Sequence, residues 1–182
     1  LAQVHVCPTL AFFEEDYLVR TLGRIAHDNE VALTELVANA WDAGASLVDI
    51  TVPGVKDIAL VVQDDGHGMS SVQFKGRWMR LGYDRIKHQG VQVEFPPERS
   101  EWRRKAYGRN GVGRHGLLCF SDHYEVETWR DGKGAGFEIG TQSSETPFKI
   151  VKESSFIRAG HGTRLSVVVK RHLPDADRIR EI

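Results

Sequence analysis

The sequence predicts an α+β fold, with helices packed on a mixed, mostly antiparallel sheet. Three observations predict it. Residues 30–43 separate polar from apolar side chains with helical spacing. Ile58 to Gln63 is a short apolar run of strand length, preceded by turn residues. From His123 onward, β-rich runs follow one another directly, divided by Asp131-Gly132 and Ser143-Ser144. Apolar residues make up 41% of the 182, enough for one normal core, and the length fits a single domain over 1–182.

Each element has a local reason. Asp16 to His27 reads as a helix. Asn29 is positioned to cap the next one, Glu30 to Ala43, and Gly44 to end it. Leu47 to Val52 alternates as a strand, Pro53-Gly54 turns the chain, and Ile58 to Gln63 forms the second strand. Met69 to Ala106 has mixed charge and Pro96-Pro97 and reads as irregular; a connection this long is usually functional or partly disordered. Gly113 to Phe120 reads as a helix. Strands follow near His123 to Arg130, Gly136 to Thr141, Phe148 to Glu153 and Thr163 to Lys170.

A net charge of −1 excludes the global basic field of a dedicated nucleic-acid binder. Cys7 and Cys119 have neither C-x-x-C nor His/Cys spacing, which argues against a disulfide framework or a zinc site and for a reducing compartment, cytoplasmic or, in a eukaryote, nuclear. There is no long apolar run and no signal peptide, so no membrane association is expected. The start at Leu1 and the charged end, Asp175 to Ile182, suggest a piece of a longer protein.

Four motifs carry chemistry. The first is E-L-V-A-N-A-W-D-A-G-A, Glu35 to Ala45. At about 100° per residue, Glu35, Asn39 and Asp42 fall within roughly 60° of one another, opposite Leu33, Leu36, Val37 and Ala40. The second is V-V-Q-D-D-G-H-G-M, Val61 to Met69, where a strand ends in an acceptor, Asp64, followed by Gly66 and Gly68. The third is Y-G-R-N-G-V-G-R-H-G, Tyr107 to Gly116; glycine-rich backbone feeding a helix start presents N–H groups to an anion. The fourth is G-H-G-T, Gly160 to Thr163, leading into a strand. Taken singly, these are also an amphipathic surface helix, a D-G turn, a linker and a turn before a strand.

In this order and spacing they resemble the GHKL family, which contains gyrase-type topoisomerases, heat-shock chaperones of the Hsp90 class, histidine kinases, MutL-type mismatch-repair proteins and MORC-type ATPases. The likeness covers about the whole chain. The first motif is very close to the MutL-type pattern; the glycine-rich one is more similar to the MORC and heat-shock versions. The resemblance implies a Bergerat-fold two-layer sandwich and magnesium-dependent ATP binding with slow hydrolysis, in a nucleotide-gated, dimerising ATPase module. By the same resemblance Asn39 is the magnesium residue and Glu35 the general base that activates water. Asp42 supports the pocket. Asp64 accepts from the adenine amino group, Gly66 and Gly68 let backbone pass close to the base, and Met69 packs on it.

The phosphates fall to the backbone of Gly108, Arg109, Asn110, Gly111, Val112, Gly113, Arg114, His115 and Gly116. Many relatives carry a lysine near this segment; here the neighbouring cations are Arg109, Arg114 and His115, of which His115 aligns best with the MORC-type lysine. Thr163 is assigned to the adenine or a water on it. Met69 to Ala106 corresponds to the ATP lid, with Trp78 and Leu81 packing on the fold and Arg85, Lys87, Arg103, Arg104 and Lys105 as solvated cations or contacts to phosphate or another chain. Expected partners are ATP and ADP, a second copy of the chain, and downstream domains of the same protein; the residues do not specify a nucleic-acid or protein client. Two alternatives stay open: a histidine-kinase-type catalytic domain, for which no phosphoacceptor helix is recognisable, and a nucleotide-binding scaffold without turnover.

Overall fold

A computed structural model describes residues 17–108, 111–141 and 148–179. In chain order the elements are α1 (Tyr17–Leu22), a 3-10 turn (Gly23–Ala26), α2 (Asn29–Asp42), β1 (Val48–Thr51), β2 (Ala59–Asp64), α3 (Ser71–Arg77), α4 (Arg85–Gln89), a 3-10 turn (Pro97–Arg99), a 3-10 helix (Gly113–Cys119), β3 (His123–Arg130), β4 (Lys133–Thr141), β5 (Phe148–Ile157), β6 (Gly162–Val168) and α5 (Ala176–Ile179). The strands form one sheet in the order β1-β2-β6-β3-β4-β5, and each neighbouring pair is antiparallel. The last strand thus lies at the centre, between β2 and β3, which brings Thr163 opposite both Asp64 and Thr128.

Period-2 alternation gives the sheet two unlike faces. Leu60, Val62, Tyr124, Val126, Phe137, Ile139, Leu165 and Val167 point to one side and are buried under α2 and the 3-10 helix. The other side carries charge, with Arg164 and Glu127 directly opposite each other and 3.8 Å apart. This is a two-layer α+β sandwich. From α2, Leu33, Leu36 and Ala40 enter the core; Val37, expected with them, is 38% exposed at the margin of the stripe.

Helix α2 begins one residue earlier than expected, because Asp28 rather than Asn29 caps it. Its Oδ1 accepts from Glu30 N at 3.1 Å and Val31 N at 3.2 Å. Asn29 instead donates to His172 O at 3.2 Å. Gly44 ends the helix at φ +72°, and a Cβ there would sit 2.6 Å from Glu94 O. The helix expected over Gly113 to Phe120 is a 3-10 helix, with His115 off helical geometry.

The 69–106 segment is far more ordered than its composition suggests. Ser70 and Gln73 form a reciprocal capping box that starts α3, and Asp84 accepts from Lys87 N at 2.9 Å to start α4. Phe74 stacks on Phe137 at 3.9 Å, and Trp78 Nε1 donates to the buried Tyr124 hydroxyl at 3.0 Å. Arg104 lies 3.8 Å over the Trp41 ring and donates to Trp41 O and Ala45 O, so it is a structural cation rather than a free one.

Candidate functional site

The polar face of α2 looks into two neighbouring clefts. One is lined by Asn39 of α2, by Asp64, Gly68, Met69 and Thr163 from the sheet side and by Trp78, Tyr83, Arg85 and Gln89 from the 69–106 segment. The other is lined by Glu35, Asn39, Tyr107, Gly108 and Gly111 to Arg114. Asn39, Asp42, Arg85 and Arg114 belong to both. A site with an apolar end and an anion-binding end fits a ligand with a flat base and a charged tail.

At the first end, β2 delivers Asp64 to the cleft. Burial pushes its carboxyl up to about 7, against the N–H groups of Gly66 and Thr163, which favour the ionised form. Gly66 N donates to Asp64 Oδ1 at 2.8 Å. Asp65 points away from the cleft. Burial would raise it too, but Ser46, the N–H of Leu47 and Arg99 hold its carboxyl far below the usual range. The two glycines here answer to protein backbone first. A Cβ on Gly66 would meet Ala43 O at 2.7 Å, and one on Gly68 would strike the carbonyl of Trp129. Gly68 still lines the cleft, whereas Gly66 acts by fixing Asp64. Met69 N donates to Thr128 Oγ1 at 2.8 Å, and Thr128 Oγ1 lies 3.5 Å from Thr163 Oγ1.

At the other end, burial raises the Glu35 carboxyl above its ordinary value. Gly113 runs so close beneath it that a Cβ there would collide with the Glu35 side chain. Asn39 Nδ2 is buried with no partner, leaving an amide in the shared wall of both clefts with one end unsatisfied. Asp42 accepts from Tyr107 N and Gly108 N and lies 3.9 Å from Arg85 Nε. Gly111, at φ +61°, passes against the backbone of Tyr83. Arg114 donates to Arg77 O and sits over the Tyr83 ring; burial lowers its guanidinium only to about 10, so it is a cation at neutral pH.

Two assignments change. His115 is fully buried: Nδ1 pairs with the Tyr124 hydroxyl at 2.9 Å, the ring packs 4.4 Å from Phe148, and burial drives its pKa down to about 3. A neutral core imidazole cannot be the phosphate cation; the side chain facing the cleft is that of Arg114. Gly116 is needed for helix packing, since a Cβ would lie 2.8 Å from Ala32 O. Val112 packs on the core while lining the phosphate-end cleft. Arg109 and Asn110 lie outside the described residues.

The family model described as histidine kinase-, DNA gyrase B- and HSP90-like ATPase matches residues 27–163, from the start of α2 to Thr163. The chain belongs to this ATPase family. It is therefore an ATP-binding, ATPase-type module. A curated relative, a putative type II restriction enzyme HgiDII of Herpetosiphon aurantiacus, is 29% identical over 136 residues, 69% of this chain and 20% of the relative. The chain thus spans about one fifth of that relative's length. No helix among the described residues is long and apolar enough to cross a membrane.

Sequence reading missed the cleft residues His67, Arg77, Tyr83 and Gln89 and did not single out His161. The capping-box pattern Ser70 to Gln73 was the available signal for α3, which carries Arg77. Nothing local marks Tyr83, which reaches the cleft only because Gly111 packs on its backbone.

Proposed function

We propose that this ATPase-family domain binds ATP with magnesium and hydrolyses it slowly, with Glu35 as general base. The observation that carries the proposal is that the two clefts share Asn39, Asp42, Arg85 and Arg114 in their walls. Adenine lies against Asp64, Met69 and Thr163, its amino group donating to the Asp64 carboxyl. The phosphates run along the Gly108 and Gly111 to Arg114 backbone, with Arg114 as their cation.

Asn39, in the wall of both clefts, could supply one oxygen ligand to a magnesium ion. No group of three or more His, Cys, Asp or Glu able to hold a metal is found among the described residues. A cation here would rely on the Asn39 amide oxygen, phosphate oxygens and water, the oxygen set that magnesium favours. When bound it would neutralise phosphate charge and polarise the reacting phosphoryl group. Glu35, its carboxyl raised by burial, takes a proton from the attacking water.

Gating follows from Arg114. In this structure it donates to a neutral carbonyl of α3, Arg77 O. A γ-phosphate is the stronger acceptor. Nucleotide occupancy thus changes the hold on the 69–106 segment, and we assign to that change the control of homodimerisation. The match to one fifth of a longer relative supports a module within a larger protein whose remaining domains supply the client. The test is turnover of ATP with and without magnesium, alongside sedimentation with ADP and with a non-hydrolysable ATP analogue. Absence of nucleotide binding overturns the proposal; binding without turnover leaves a scaffold, and equal sedimentation in all states removes the clamp.

A further inference from the structure

His161, in the turn before β6, sits between two acceptors. Nδ1 is 2.7 Å from Gly66 O, and Nε2 is 2.5 Å from Glu98 Oε1. One ring nitrogen faces a backbone carbonyl and the other a carboxylate, so the ring bridges the two groups.

The two contacts join parts of the chain that the nucleotide reading treats separately. Gly66 is the residue whose N–H holds Asp64 Oδ1. Its carbonyl is held by His161, so the residue is gripped from both sides, and a Cβ on it would meet Ala43 O at 2.7 Å. Glu98 belongs to the 3-10 turn of the 69–106 segment. Its neighbour Arg99 donates to Asp65 Oδ2 at 2.6 Å and to Asp65 O at 2.5 Å. The turn Asp64-Asp65-Gly66 is thus clamped from outside by adjacent residues of one short element, through His161 and Arg99.

We propose that His161 is a positioning residue for the adenine end of the cleft: held between Gly66 and Glu98, it fixes the turn that aims Asp64 at the base and ties that turn to the 69–106 segment. The proposal rests on Asp64 being the adenine acceptor. Glu98, Glu94 and Asp131 share its cleft, and Asp64 lies near enough to feel the ring; Arg99 pairs with Asp65 and lies 3.9 Å from the same Glu98 oxygen, Arg130 is partnered by Asp131 and Glu94, and burial keeps His67 towards its neutral form.

Two measurements test it. Carbon-13 NMR of the Asp64 carboxyl should show its titration moving upward in His161→Phe and His161→Gln, because the ring that holds it down has gone. Calorimetry should show ATP, ADP and AMP weakened alike in His161→Phe, at least fivefold, since the loss is at the base; His161→Gln, with one donor kept, should recover part of it. A folded His161→Phe protein with nucleotide affinities within twofold of wild type and an unmoved Asp64 titration overturns the proposal. Wild-type protein that binds no nucleotide would instead sink the ATP reading, and the carboxyl titration would still decide whether His161 holds Asp64.

Discussion

The Asp42 carboxylate accepts from two consecutive backbone N–H groups, Tyr107 at 2.7 Å and Gly108 at 2.8 Å. One side chain at the end of α2 therefore sets where the glycine-rich segment begins. Asp42→Asn offers one acceptor and turns a donor toward the other N–H. An unpaired donor costs about 1–3 kcal/mol when buried, an upper bound for these part-buried groups. ATP affinity should fall about tenfold or more in calorimetry, with faster hydrogen exchange at Gly108. Unchanged exchange would show that the segment is held elsewhere.

Asp64 makes stability pH-dependent with a defined sign. Its carboxyl titrates at about 7 when folded against 3.8 ordinarily, so between those values the folded chain keeps a proton that the unfolded chain has released. Stability from this group should be fullest below about pH 4, decline as pH rises to about 7, and stay level above. Asp64→Asn should flatten that slope in thermal melts and abolish adenine recognition; retained ATP affinity would remove Asp64 from the pocket.

Glu35→Ala should bind ATP nearly as the wild type does and lose about 10²–10⁴ in turnover, the usual contribution of a general base. The wild-type rate should fall with acid at a pH above the ordinary carboxyl value of 4.5, since burial raises this group. Steady-state turnover across pH checks both; an alanine variant as fast as wild type would refute the assignment.

His115→Phe should leave nucleotide affinity within about twofold, because its imidazole pairs with Tyr124 in the core. Arg114→Ala should weaken ATP more than ADP. The opposite ranking by calorimetry would return the phosphate contact to His115.

A non-hydrolysable ATP analogue should protect Met79 to Gly90 and Gly111 to Gly116 from hydrogen exchange more than ADP does, because only the former offers Arg114 a γ-phosphate. Equal protection with ADP, with the analogue and without ligand would mean that the segment does not sense that group.

Much of this was legible in the sequence because period and punctuation are local. The α2 face, the strand bounds of His123 to Arg130 and the cap at Gly44 follow from spacing and residue type. What was not legible depends on long-range contacts. His115 and Arg114 are adjacent cationic candidates in sequence; only the packing of Tyr124 and Phe148 draws one inward and leaves the other at the cleft. The order within 69–106 was hidden by charge and prolines, although Ser70-x-x-Gln73 carried a readable helix start.

Trp78 and Arg104 are posts driven in at either side of that segment. The indole is bonded into the core through Tyr124, and the guanidinium lies between Trp41 and Phe95. Between Val91 and Ala106 the chain is laced to itself, Val93 N to Arg104 O and Ala106 N to Val91 O. Met79 to Gly90 is therefore the stretch held least by these posts, and it carries Tyr83 and Arg85 across the cleft. Opening it would break the Arg85 contacts to Asp42 and lift Met79 and Leu81 from their packing on the core.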